Sequence, residues 1–195
     1  MAEVRPTKYG VKVLSANAYG PDASQGYEQY TERMLQKIIQ NSEYQFIDTP
    51  NDITTPNALR VLEAADVIVF TANVGIKNSL PQLGAMMKAV EEIGFADKVS
   101  ASVVVISNTP KGKVPSDYRM YTNIVNIRDQ VVQERHFTGS MMVVPYDPVV
   151  AEDSEVSPEL LDWETYQAYL DINILALQEG LKRKTFTTSM AHRHL

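Results

Sequence analysis

The sequence predicts a single wound α/β domain, a mostly parallel sheet flanked by helices. Two observations carry this. Apolar runs of strand length recur along the 195 residues, and three of them are nearly continuous rather than alternating, as strands buried on both faces are. Segments with helical spacing lie between these runs, and a strict alternation of strand and helix is what crossover helices on a parallel sheet produce.

The expected strands are residues 11–14, 44–47, 67–70, 103–106 and 141–144. The expected helices are residues 27–40, on Tyr27, Tyr30, Met34 and Ile38; 57–64; 79–93, on Leu80, Leu83, Met87 and Val90; and 121–135, on Ile124, Ile127 and Val131. A last amphipathic segment, residues 163–181, carries Tyr166, Leu170, Ile174 and Leu177 on one stripe. No repeat or low-complexity stretch interrupts the pattern, so residues 1–184 read as one domain and 185–195 as a flexible tail.

Composition narrows the classes of function. With 44% hydrophobic residues the chain can bury a sizeable core. A net charge of -6 and a pI near 5.1 leave no global basic footprint for phosphate backbones. The absence of cysteine removes disulfides, thiolate metal sites, iron–sulfur clusters and thiol nucleophiles, and suits a reducing cytoplasm. No run approaches the roughly 20 apolar residues of a membrane span, and MAEVRPTKYG has no signal-peptide core, so a soluble, cytoplasmic protein is expected. Of the three histidines, His136 lies near an expected helix end and His192 and His194 lie in the tail; a metal site there is not expected.

Residues 16–26, 108–118 and 145–158 are irregular, and each follows an expected strand. In open α/β sheets ligands sit at the carboxyl ends of the strands, so these loops are the candidate site wall. Asp48 closes an apolar run and is followed by Thr49 and Pro50. A carboxylate there can hold Mg²⁺ through water and phosphate; equally, it can cap the next turn with Pro50 as a stop. Asp22, Asp52 and the group Glu152, Asp153 and Glu155 read first as solvated loop charges, and the pairs Met86–Met87 and Met141–Met142 as adaptable core filling.

In order along the chain, Gln45-Phe-Ile-Asp-Thr-Pro50, the segment 58–66 with Val67-Ile-Val-Phe-Thr71, Val103-Val-Val-Ile-Ser-Asn108 and Val143-Val-Pro-Tyr-Asp147 resemble the ParA/MinD family of partitioning ATPases with a deviant Walker A loop. The resemblance runs from about Val11 to Leu181 and implies a P-loop NTPase-like fold. Asp48, with Thr49 and Pro50, corresponds to the Walker B strand end near Mg²⁺ and the γ-phosphate. Asn108 corresponds to the adenine-reading residue, with Pro145 against the ring and polar contacts from around Tyr146 and Asp147. Asn108 alone also reads as a turn former ahead of Pro110, and residues 145–147 as a plain strand exit.

The resemblance further implies ATP and Mg²⁺ as ligands, homodimerisation, an activator protein, and plasmid, chromosome or cargo positioning; nucleic acid enters only through the family. The family's Lys-Gly-Gly-x-Gly-Lys-[Ser/Thr] loop does not occur. Gly112-Lys113 is followed by Val114 and lies after the wrong strand. The chain therefore resembles the C-terminal two-thirds of the fold, with the P-loop unit expected upstream, and it is not expected to hydrolyse ATP by itself. A sheet lacking the P-loop strand has an edge open to self-association. The run Lys182-Arg-Lys184 is similar to the membrane-targeting tail of MinD-like members, but cations also suit a helix C-terminus, and membrane attachment is not expected. Two other classes are open. One is a non-catalytic interaction module derived from this fold; the other is a flavodoxin-like domain using the loop 15–22 after its first strand.

Overall fold

The computed structural model describes residues 4–6, 12–14, 44–49, 52–74, 76, 78–109, 140–152 and 157–191. The expected helices 27–40 and 121–135, the loops 16–26 and 110–118, Pro50, the Gly112–Lys113 pair and all three histidines lie outside them. The chain divides into two compact units, Met1–Val61 and Leu62–Leu195.

In the first unit, β1 (Val4–Pro6) pairs antiparallel with β2 (Lys12–Leu14). The expected strand at 11–14 is therefore present but forms a two-stranded ladder of its own instead of joining the parallel sheet. The strand expected at 44–47 is not formed. Residues 45–49 are irregular, and Tyr44, Phe46 and Ile47 are exposed, whereas a strand covered on both faces would bury them. A strand needs ladder partners for its backbone groups, and among the described residues none pairs with this segment. Helix α1 (Pro56–Ala64) follows, its last residues, from Leu62, belonging to the second unit. Thr55 opens it, its hydroxyl accepting from the Ala58 amide at 3.3 Å.

The second unit is α/β. Its sheet has the order β3 (Val69–Asn73), β4 (Val103–Thr109), β5 (Ser140–Pro145), all parallel. β3 starts two residues later than expected and runs to Asn73, because its register with β4 extends from Val69 opposite Val103 to Asn73 opposite Ser107. Helix α2 (Ser79–Val90) packs against β3 and buries Leu80, Leu83, Met87 and Val90, the stripe read from the sequence. It ends before residue 93. A π-helical turn, Glu91–Phe95, contains Gly94 at φ 106°, a left-handed value that favours glycine, and the turn leads into α3 (Ala96–Ser100).

Short helix α4 (Pro148–Glu152), a 3₁₀ turn at Pro158–Leu160 and the long α5 (Trp163–Ala191) complete the unit. The backbone of α5 is helical through residues 185–191, within the segment expected as a tail. Val103, Val105, Val144 and Ala168 form a buried cluster with Val67, Tyr169, Ile172 and Leu175 packed on it, so α5 covers one face of the sheet. Val104 and Ile106, of opposite pleat parity, are also fully buried, so the second face is covered too.

Lys98 of α3 satisfies the carbonyls at the end of α1. Its Nζ donates to the backbone oxygens of Leu62 at 2.7 Å, Glu63 at 2.8 Å and Ala65 at 2.9 Å, and lies 5.5 Å from the Phe95 ring centroid. A helix leaves its last carbonyls without intrahelical partners, and an ammonium with three donors matches three of them. Replacing Lys98 by Met keeps the stem and removes the donors. It should lower stability by about 1–3 kcal/mol, read as a fall in the thermal midpoint by circular dichroism; an unchanged midpoint would show the clasp to be energetically idle.

Candidate functional site

The carboxyl edge of the parallel sheet gathers the polar strand ends Asn73, Asn108 and Thr109, with Pro145 and Tyr146 beside them. Its geometry comes from an irregularity in β4. Ile106 pairs with Val143 and Thr109 with Pro145, so three steps along β4 match two along β5. The extra residue is a bulge, and within it Asn108 sits at φ 59°. Asparagine tolerates the left-handed region better than other non-glycine residues, and bulges re-aim side chains next to sites. Strain of this kind costs of order 1 kcal/mol and persists where surroundings hold it.

The surroundings here are explicit. The Asn108 Nδ2 donates to Asn73 Oδ1 at 3.0 Å, and the Thr109 hydroxyl donates to the Val144 carbonyl at 3.1 Å. The Tyr146 amide donates to the Thr109 carbonyl at 2.8 Å, and the Val74 amide to Ser107 O at 3.1 Å. On the α2 side, the Asn73 amide donates to Ser79 Oγ at 2.9 Å, tying the end of β3 to the first turn of the helix. Among the described residues the half-buried Asn108 side chain bonds only to Asn73, which leaves one N–H and its Oδ1, a donor next to an acceptor.

The Asp147 carboxylate is buried and works within the fold. Oδ1 accepts from the Val149 amide at the start of α4, and Oδ2 from the Asp162 amide ahead of α5, both at 3.0 Å. Of the polar contacts expected around residues 146–147, the Tyr146 amide and both Asp147 oxygens thus have internal partners. The Tyr146 side chain is exposed and Pro145 half-buried, and both adjoin Thr109, the residue after Asn108.

In the first unit, Asp48 is exposed in the irregular segment 45–49, and Thr49 is partly covered. One accessible carboxylate fits the minimal protein share in a Mg²⁺ site completed by water and phosphate. No group of three or more His, Cys, Asp or Glu suited to a metal occurs among the described residues. Asp52, read as a solvated charge, accepts from the Thr54 hydroxyl at 2.6 Å and the Thr54 amide at 3.0 Å, which hold its carboxyl below the usual range. Among the described residues no helix is long and apolar enough to cross a membrane.

Sequence reasoning missed Asn73. The available signal was a polar residue ending an apolar strand one position beyond the quoted Val67–Thr71 run and its alanine. Comparison with known proteins returns no match, whether among protein-family models, curated proteins or solved structures.

Tyr169 on α5 provides a chemical handle on this edge. Burial pushes its phenol above the ordinary tyrosine range, and the charge of Asp147 adds to the shift. A raised value favours the neutral form in the folded state. The contribution to stability is thus intact below the ordinary pKa of about 10 and is lost as pH rises through the folded value. Difference absorbance titration of the protein against Tyr169→Phe should show this phenol ionising after the ordinary tyrosines. Asp147→Asn should shrink the shift without abolishing it, because burial is the larger cause; ionisation of Tyr169 in the ordinary range would contradict this geometry.

Proposed function

We propose that the chain carries the base-recognition side of the nucleotide site of a ParA/MinD-like partitioning or positioning ATPase with a P-loop NTPase-like fold, acting in the cytoplasm. The observation that carries this is the bulge-held Asn108. Its remaining N–H and Oδ1 match the acceptor and donor along an adenine edge, and its amide plane is fixed by Asn73. Support also comes from its place at the carboxyl edge of a parallel sheet, where such folds bind ligands, and from Pro145 and Tyr146 at the same edge, next to Thr109, with surface suited to a purine ring.

The family resemblance assigns Mg²⁺ and phosphate to Asp48, with Thr49 and Pro50, in the first unit. The chain contains no Walker A loop, so the function assigned is recognition of ATP·Mg²⁺, not hydrolysis by this chain alone. ATP-dependent self-association, an activator protein and a DNA or protein cargo belong to the same proposal.

A second reading, a non-catalytic interaction module built on this fold, is favoured by the apolar surface around α5. A cleft of about 380 Å³ there is lined by residues including Val150, Leu161, Tyr166 and Leu170.

Adenosine separates the two, because it needs no phosphate grip. In a ¹⁵N-edited titration of the full chain it should perturb the amides of Asn73, Asn108 and Tyr146, with guanosine at least about tenfold weaker, and Asn108→Ala should erase the preference. Asn73→Leu, which frees the Asn108 amide plane, should weaken adenosine in the same direction, whereas Asn73→Asp keeps the acceptor and should not. Equal or absent responses to both nucleosides would remove the nucleotide proposal and leave the module.

A further inference from the structure

Helix α5 is apolar on two opposite sides. Ala168, Tyr169, Ile172 and Leu175 face the sheet. About half a turn round the axis lie Trp163, Leu170, Ile174 and Leu181, exposed by 71%, 37%, 49% and 57%. The steps between them are seven, four and seven residues; together they make eighteen, five full turns, so the four form a straight stripe about 27 Å long. A surface helix of a globular domain normally gives its second face to polar residues. A row of large apolar groups along one side marks an interaction surface, in contrast to scattered single ones; Gln167 lies on the same side between Trp163 and Leu170.

The stripe is self-complementary. Positions 163 and 181, and likewise 170 and 174, are symmetric about residue 172. The same centre relates Asp162 to Lys182, whose ammonium pairs with Glu179 of its own helix at 2.6 Å. Two antiparallel copies related by a two-fold axis at residue 172 would set Trp163 of one against Leu181 of the other and Leu170 against Ile174. Asp162 of each would meet Lys182 of its mate, in exchange for the Lys182–Glu179 pair within one helix. An isologous two-fold contact requires a patch that matches itself in this way.

We propose that this face of α5 is an antiparallel homodimer interface whose occupant is a second copy of the chain. The proposal does not depend on the nucleotide site. An anionic lipid surface calls for cations along the polar flanks of a helix, whereas here they are confined to one end and offset by acids at the other.

Sedimentation velocity on the full chain from about 1 to about 100 micromolar should show a monomer–dimer equilibrium. The emission of Trp163, the one tryptophan, should shift to the blue as the dimer fills. Ile174→Glu, at an exposed position, should leave the helical circular dichroism unchanged and weaken dimerisation by about thirtyfold or more, the size of a hot-spot loss. Lys182→Glu should weaken it as well, and the double variant Asp162→Lys with Lys182→Glu should restore it by exchanging the charges. A strict monomer over the whole range would overturn the proposal, whether or not the chain then sediments with phosphatidylserine vesicles. So would a dimer that Ile174→Glu leaves intact.

Discussion

The second unit depends on β4 being enclosed on every side. Val103, Val104, Val105 and Ile106 are successive, so their side chains point alternately to opposite faces, and all four are buried. Burial of each such side chain is worth about 1.5–3 kcal/mol relative to exposure, provided that both faces are covered and both edges paired. β3 and β5 supply the edges, α5 covers one face, and the remaining geometry follows from keeping this strand dry. The polar residues that end the three strands are carried to one edge because the strands are parallel.

At that edge, rigidity comes from main-chain bonds between elements and from side chains that bridge them. Thr109 and Tyr146 lock β4 to the exit of β5, Ser79 locks the exit of β3 to α2, and Asp147 draws the starts of α4 and α5 together. A side chain held by packed elements is a better recognition group than one on a free loop, since less freedom is lost when a ligand arrives. Asn108 is such a group, fixed through its own backbone by the bulge and through its amide by Asn73.

Much of the second unit was legible because its signals are strong and local. The continuous apolar run at 103–106 announced a strand buried on both faces, and the spacing of Leu80, Leu83, Met87 and Val90 announced the buried side of α2. The run at 44–47 carries the same kind of signal and yet is irregular and exposed, since apolarity alone does not provide the neighbouring strand that a ladder needs. Gly94 ended α2 earlier than its periodicity suggested, through a backbone conformation that spacing does not encode. At the site, Asn108 could be picked out as a polar residue closing a strand. Asn73 carried the same signal, but its pairing with Asn108, 35 residues away in sequence, is settled by register. On α5 the stripe read from the sequence includes Leu170 and Ile174, which are exposed, whereas the side that meets the sheet, Ala168, Tyr169, Ile172 and Leu175, was not picked out, because spacing does not say which of two apolar faces is covered.

The irregularity between Ile106 and Thr109 has a wider consequence. In a regular pleat, inside and outside alternate without interruption, and neighbouring strands keep step. One additional residue in β4 shifts its phase against β5 by one, so a position counted from Val103 and the same position counted from Ser140 part company beyond Ile106. Residues upstream of that point are bound to the architecture of the core. Those downstream are released from its alternation, and the chain is free to choose which groups it shows to the solvent at the rim of the sheet.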